Sequence, residues 1–90
     1  MRSAVDSKKI LIGLGAEVRR RRKSLDLSQA RLPQLAQIHV NVIGRLERGT
    51  YNPTVTALCW IAAALGTSLV GLLAQTEPTP RARHSKLKTG

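Results

Sequence analysis

The sequence predicts an all-α domain of five short helices, two of them paired as a helix-turn-helix. Three observations carry this. Residues 27–49, LSQARLPQLAQIHVNVIGRLERG, put Leu32, Ala36, Ile38, Ile43 and Leu46 at the spacing of two short helices folded over one small shared core. Helix-start residues (Ser28, Thr54, Ser68) and helix-stop glycines (Gly49, Gly66) punctuate the chain at helical intervals. Aromatics are nearly absent, with Trp60, Tyr51 and no Phe. Aliphatic residues and alanine must therefore fill the interior, which favours short helices packed closely.

A chain of 90 residues is one domain with a modest core. Residues 1–7 read as a flexible arm, 8–74 as the folded domain and 75–90 as a basic, disordered tail containing prolines. The first helix is expected over 8–24, capped by Ser7. Leu11, Leu14, Val18 and Leu25 follow three- and four-residue steps and mark its buried face. Gly13 and Gly15 each weaken that helix by roughly 1 kcal/mol relative to alanine, so its first half is expected to fray. Residues 12–18, IGLGAEV, imitate part of a dinucleotide-binding fingerprint. The third glycine position is Val18, and no βαβ unit fits in the remaining length, so nucleotide binding is set aside.

The second helix is expected from Ser28 to about residue 36. Pro33 falls near its fifth position, where the missing N–H costs a hydrogen bond and predicts a kink or a loosened first turn. The third helix is expected over 40–48, closed by Gly49. A loop then leads to Thr54, which caps a fourth helix over 55–65 with Val55, Leu58, Ile61, Ala62 and Leu65 on its buried stripe. Ser68 starts a weak fifth helix over 69–74.

Charge points to partners rather than to fold. Fifteen Lys and Arg against five Asp and Glu give a formal charge of +10, which suits a polyanion, nucleic acid ahead of membrane. No apolar run approaches the ~20 residues of a membrane-spanning helix, and the N-terminal stretch is too short and polar for a signal peptide. Cys59 is alone, so no disulfide forms within one chain, in keeping with a reducing cytoplasm.

The stretch around 27–49 resembles the Cro/CI-type (xenobiotic-response-element) helix-turn-helix family, whose fold is the five-helix, lambda-repressor-like DNA-binding domain. The matching residues are Leu27-Ser28-Gln29, Leu32, Ala36, Ile38, Ile43, Arg45, Leu46-Glu47-Arg48-Gly49, Asn52-Pro53-Thr54, Ile61-Ala62, Ala64-Leu65-Gly66 and Ser68-Leu69, within 14–73. Single triplets mean little, but their order and gaps together are specific. The resemblance implies a third helix in the DNA major groove and the start of the second helix over the phosphate backbone. It implies an ion pair between Arg22 and Glu47, tying the first helix to the third. Two positions depart from the family. Pro33 stands where alanine is usual. Gln37 stands where glycine is usual, and a left-handed glutamine there is strained by roughly 1–2 kcal/mol unless the turn is rebuilt.

The residues expected at DNA are Ser28, Gln29, His39, Val40, Asn41, Gly44, Arg45, Arg48, Thr50 and Asn52. Ser28 and Gln29 sit at a helix start, where free N–H groups favour phosphate. Gln29 and Asn41 carry amides that pair with adenine, Arg45 a guanidinium that pairs with guanine, and Val40 an apolar surface for a thymine methyl. Three have a plainer alternative: Arg45 as a phosphate contact, Asn41 as a helix-start residue, His39 as a cap. Arg48, Thr50 and Asn52 border the loop after the third helix, a candidate phosphate clamp. Of the basic run 19–23, Arg22 apart, some residues are expected at phosphate and the rest in solvent.

Trp60 and Ala63 fall opposite the buried stripe of the fourth helix, where relatives carry charge. They mark either a half-covered surface or a partner interface. No catalytic constellation, metal spacing or cofactor motif emerges from one Cys, two His and five scattered acids. The expected function is a dimeric, sequence-specific transcriptional regulator in a bacterial or phage-bearing cytoplasm, associated with the nucleoid. Phage-type repressor and restriction–modification controller remain as branches, the pattern Ile38-His39 … Ile43-Gly44 leaning to the controller. The alternatives are an antitoxin that holds a toxin through Trp60, and a basic architectural protein of low sequence preference.

Overall fold

The computed structural model describes residues 6–74 and residue 76. Five helices follow one another: α1 (Ser7–Ser24), α2 (Arg31–Ala36), α3 (Val40–Glu47), α4 (Val55–Ala64) and α5 (Leu69–Ala74), with no strand among the described residues. α1 packs on α3 and α5, α2 on α3 and α4, and α4 on α5. Leu14, Val18, Leu32, Ile43, Leu46, Ile61 and Leu72 form the centre of a core that contains no aromatic residue.

The cap of α1 is Asp6, not Ser7. Its Oδ1 accepts from the N–H groups of Lys8 at 3.0 Å and Lys9 at 3.4 Å. A carboxylate one residue earlier satisfies two free donors and suits the positive helix end better than a hydroxyl. Ser7 is therefore the first helical residue. The expected arm, reduced to 1–5, lies outside the described residues, as does the expected tail except for Thr76. Thr76 is buried beside α1, its carbonyl 3.2 Å from where a side chain on Gly13 would begin.

The apolar stripe of α1 is shorter than expected. Leu14 and Val18 are buried, Leu11 is partly covered, and Leu25 is 49 % exposed. Helical periodicity stops at Ser24, so Leu25 no longer belongs to the stripe. Val55, first residue of α4, is likewise exposed, while Leu58, Ile61, Ala62 and Leu65 are buried as expected. The first half of α1 remains helical through Gly13 and Gly15. Gly15 is buried against α3: a Cβ there would collide with the Leu46 carbonyl oxygen and stand 2.9 Å from that of Glu47. The absent side chain lets the two backbones meet.

Four helices end in one motif. After α1, Leu27 N–H donates to the Arg22 carbonyl and Asp26 N–H to that of Lys23, at 3.1 and 3.0 Å. The equivalent pairs follow α2 (Ile38 to Pro33, Gln37 to Gln34), α3 (Thr50 to Arg45, Gly49 to Leu46) and α4 (Thr67 to Ala62, Gly66 to Ala63). This is the Schellman pattern, which needs one left-handed residue. Gly49 and Gly66 supply it at φ 76° and 75°; Asp26 and Gln37 adopt it at φ 58°. The turn between α2 and α3 is thus kept and not rebuilt, with Gln37 in the strained region. Gln37→Gly should raise stability by about 0.5–1 kcal/mol, the relieved strain less the entropy of a more flexible unfolded chain. Chemical denaturation checks this; a loss of stability would show that the Gln37 side chain contributes more than its backbone costs.

α2 starts later than expected. Ser28 Oγ accepts from Arg31 N–H at 2.9 Å, but Gln29 and Ala30 form a turn and regular helix begins at Arg31. The Leu32 N–H already donates to the Ser28 carbonyl at 3.2 Å, so the next helical bond, to the Gln29 carbonyl, is the one that Pro33 cannot make. The first turn is loosened at the cost of that one hydrogen bond, as expected, while Pro33 itself is fully buried. α3 and α4 begin with their side-chain caps, His39 Nδ1 on Asn41 N–H and Thr54 Oγ1 on Ala57 N–H, both 3.1 Å. Ser68 Oγ accepts from Gly71 N–H at 3.0 Å.

Glu17, although charged, is buried on α1. It takes Arg20 through two hydrogen bonds, at 3.0 and 2.6 Å, and Arg21 at 2.6 Å. The Arg20 guanidinium, and then that of Arg21, hold the Glu17 carboxyl below its usual range against the cost of burial. Arg21 also reaches the Gly71 carbonyl of α5 at 3.4 Å.

Candidate nucleic-acid interface

The site is built on one buried ion pair. Arg22 Nε lies 2.6 Å from Glu47 Oε2 and Nη2 lies 3.0 Å from Oε1, a two-pronged contact. The side chains are 8 % and 2 % exposed. Arg22 Nη1 donates to the Leu27 carbonyl at 2.7 Å, and Glu47 Oε1 also accepts from Gln29 Nε2 at 2.9 Å. Glu47 keeps the Arg22 guanidinium charged by raising its pKa. Four segments are fixed by this cluster: the end of α1, the loop at Leu27, the approach to α2 and the end of α3. The angle between α2 and α3 therefore depends on polar contacts as well as on the core.

Above the cluster, Gln29, Ala30, Val40, Asn41, Gly44, Arg45 and Arg48 line one polar concavity. Six of the ten residues expected at DNA meet there. Arg45 is exposed on α3, and its guanidinium lies over the Tyr51 ring, 5.4 Å from the centroid. Such a contact holds the planar head without consuming its hydrogen-bond donors. Val40 is 56 % exposed, and Asn41 is exposed beside it. Gly44 puts no side chain on the middle of the α3 surface, and Arg48 Nη1 and Gln29 Oε1 lie 3.4 and 3.8 Å from where one would begin.

The other four stand around the rim or are occupied. Ser28 Oγ takes up the Arg31 N–H, and His39 Nδ1 is spent on the α3 cap. Thr50 Oγ1 donates to the Arg45 carbonyl at 3.1 Å and so closes α3. Asn52 is exposed in the following loop. Sequence reasoning missed three features: Ala30 in the lining, Tyr51 as the support of Arg45, and the tie from Gln29 to Glu47. An aromatic just past the stop glycine was a usable signal for Tyr51. Nothing in the local sequence marks the other two.

Charge is distributed unevenly. Residues 49–76 contain no Asp, Glu, Lys, Arg or His. Every described charge therefore sits on α1, α2, α3 and their junctions, while α4 and α5 are neutral. In the basic run, Arg20 and Arg21 pair with Glu17 and Arg22 with Glu47, whereas Arg19 and Lys23 are exposed without an ion pair among the described residues. Trp60, 52 % exposed, and Ala63 border a second, apolar groove with Leu35, Ala36, Gln37 and Ala64, between α2 and α4. No cluster of potential metal ligands and no helix long and apolar enough to cross a membrane occurs among the described residues.

A short helix, a left-handed turn and a second short helix over a common core, with a basic concavity between them, define a helix-turn-helix domain. The model of the helix-turn-helix family HTH_3 matches residues 18–72, and the chain belongs to that family, as a transcriptional regulator with an HTH_3 DNA-binding domain. An uncharacterised HTH-type transcriptional regulator of Sinorhizobium fredii is 36 % identical over 67 residues, 74 % of this chain and 87 % of that protein. Among solved structures, an HTH_3 family transcriptional regulator from Vibrio cholerae superposes with a TM-score of 0.71 at 28 % identity. That match covers 77 % of this chain and 39 % of the other. The restriction–modification controller protein from Aeromonas hydrophila gives a TM-score of 0.67 at 29 % identity, over 69 % of this chain and 94 % of its own. The family and these relatives are transcription regulators and not enzymes.

Proposed function

We propose that the chain binds duplex DNA as a dimer, reads a specific operator with α3 in the major groove, and regulates transcription from it. The observation that carries this is the convergence of Gln29, Asn41 and Arg45 on one exposed concavity. Two amides and a guanidinium are the side chains that match adenine and guanine edges. Val40 offers an apolar surface to a thymine methyl. Arg48, Thr50, Asn52 and Ser28 flank the reading residues where phosphates would pass, with His39 at the same rim. The controller-type branch is favoured by the likeness to the Aeromonas hydrophila protein, whose length this chain covers almost wholly.

Competition titration with selected and random duplexes tests this. Arg45→Ala should weaken the selected site roughly ten- to hundredfold and leave random DNA nearly unchanged. Arg48→Ala should weaken both alike and lower the salt slope by about one. Equal losses on both duplexes for Arg45→Ala would reduce it to a phosphate contact and favour an architectural protein.

The dimer is proposed to form on the neutral half, through Trp60 and Ala63. Two chains of formal charge +10 repel wherever their basic halves meet, and α4 offers an apolar groove in a stretch free of charge. Trp60→Ala should raise the dimer dissociation constant about thirtyfold or more, as loss of a central tryptophan does at other interfaces. Sedimentation equilibrium reads it; an unchanged constant would place the interface elsewhere.

A further inference from the structure

We infer that Glu47 fixes the polarity of the Gln29 amide, so that Gln29 presents an acceptor to the major groove and selects an adenine. This rests on the major-groove reading proposed above.

A free glutamine amide can turn over and offer either its oxygen or its nitrogen. Gln29 is not free. Its Nε2 donates to Glu47 Oε1 at 2.9 Å, and that carboxylate is held on its other side by Arg22. An ionised carboxylate only accepts hydrogen bonds. Turning the amide over would set oxygen against oxygen, so the nitrogen must face Glu47. The oxygen then points the other way. Gln29 Oε1 lies 3.8 Å from the point where a side chain on Gly44 would begin. Gly44 itself puts no side chain in the way, and the Arg48 head, whose Nη1 lies 3.4 Å from the same point, is on a flexible side chain that can turn aside to phosphate as a base approaches.

What remains for DNA is one acceptor, Oε1, and the second N–H of Nε2 beside it. Adenine complements this pair: its N6 amino donates and its N7 accepts. Guanine presents two acceptors, O6 and N7, and thymine presents O4, so both set an acceptor against Oε1. Cytosine offers N4 to Oε1 but has no acceptor for the second N–H. Only adenine satisfies both groups. Gln29 is thus a specificity-determining residue, and Glu47 a positioning residue that also serves the fold.

The test uses the intact protein and a duplex taken from a selection on random DNA. Each adenine in the site is replaced in turn by purine, which lacks the 6-amino group. At one position per half-site the wild type should lose about tenfold in affinity. Gln29→Ala should lose nothing further from that replacement. 7-Deazaadenine at the same position should give a smaller loss, since only N7 is removed. Three results would overturn the inference while leaving sequence-specific binding intact. No adenine shows a loss that Gln29→Ala abolishes; or the sensitive group is a cytosine 4-amino; or Gln29→Ala weakens selected and random duplexes alike, as a phosphate contact would. If selection yields no preferred duplex, the major-groove reading itself fails. The role of Glu47 is read in the wild type by NMR. One side-chain N–H proton of Gln29 should exchange markedly more slowly than those of exposed glutamines such as Gln34, and equal exchange would overturn the fixed polarity.

Discussion

Gly15→Ala should destabilise the domain by about 3 kcal/mol, near the upper end of what overpacking costs. Helix propensity predicts the opposite sign, since alanine is better than glycine inside a helix by roughly 1 kcal/mol. Packing decides. The new carbon would overlap the Leu46 carbonyl oxygen and press on that of Glu47. Both are backbone atoms near the end of α3, so no flexible side chain can yield. Either α1 moves off α3 or α3 tilts, and the whole reading surface follows. In a domain of this size the loss corresponds to a fall in Tm of roughly 12–24 °C. Gly13→Ala is the control. Its new carbon meets only the Thr76 carbonyl, at 3.2 Å, and stability should change by less than about 1 kcal/mol. Thermal melts of the two variants give the comparison; equal Tm values would show that α1 and α3 do not meet through Gly15.

The second large effect lies at Arg22. Arg22→Met should cost about 3–5 kcal/mol, because the Glu47 carboxylate is left buried with only the Gln29 amide as partner. The double variant Arg22→Met/Glu47→Leu should cost less than this single change, on the order of 1–2 kcal/mol. It removes both charges and leaves chiefly the Leu27 carbonyl without its donor. Denaturant unfolding of the single and double variants measures the difference. A single variant within 1 kcal/mol of wild type would mean that water reaches Glu47 and that the pair does not tie α1 to α3.

Much of the fold was legible because short-range signals agreed with long-range packing. The helix caps at His39, Thr54 and Ser68, the stop glycines and the spacing of Leu32, Ala36, Ile43 and Leu46 all describe interactions within a few residues. The departures have the opposite character. Leu25 and Val55 match an apolar period that continues past the helix that justifies it. Ser7 and Asp6 are both good caps, and one further residue of helix decides between them. Pro33 costs the bond that its position predicts and delays regular helix to Arg31, but its complete burial is visible only in the packing. Gly15 looks weak until the backbone opposite it is known. In the site, the residue types of Gln29, Asn41 and Arg45 were legible, and so was the Arg22–Glu47 pairing, through family resemblance. The bond from Gln29 to Glu47 spans 18 positions and joins two helix ends, and no local pattern encodes it.

The central claim is that Gln29, Asn41 and Arg45 together form a surface that reads base sequence in duplex DNA. Selection from a randomised duplex library, followed by titration of the preferred site against scrambled DNA at fixed salt, tests it most directly. The account predicts two half-sites about one helical turn apart, with a preference of roughly a thousandfold or more for the selected site. That preference should fall towards unity in the variant Gln29→Ala/Asn41→Ala/Arg45→Ala. A wild-type protein that binds both duplexes equally, or a triple variant that keeps the preference, would contradict it.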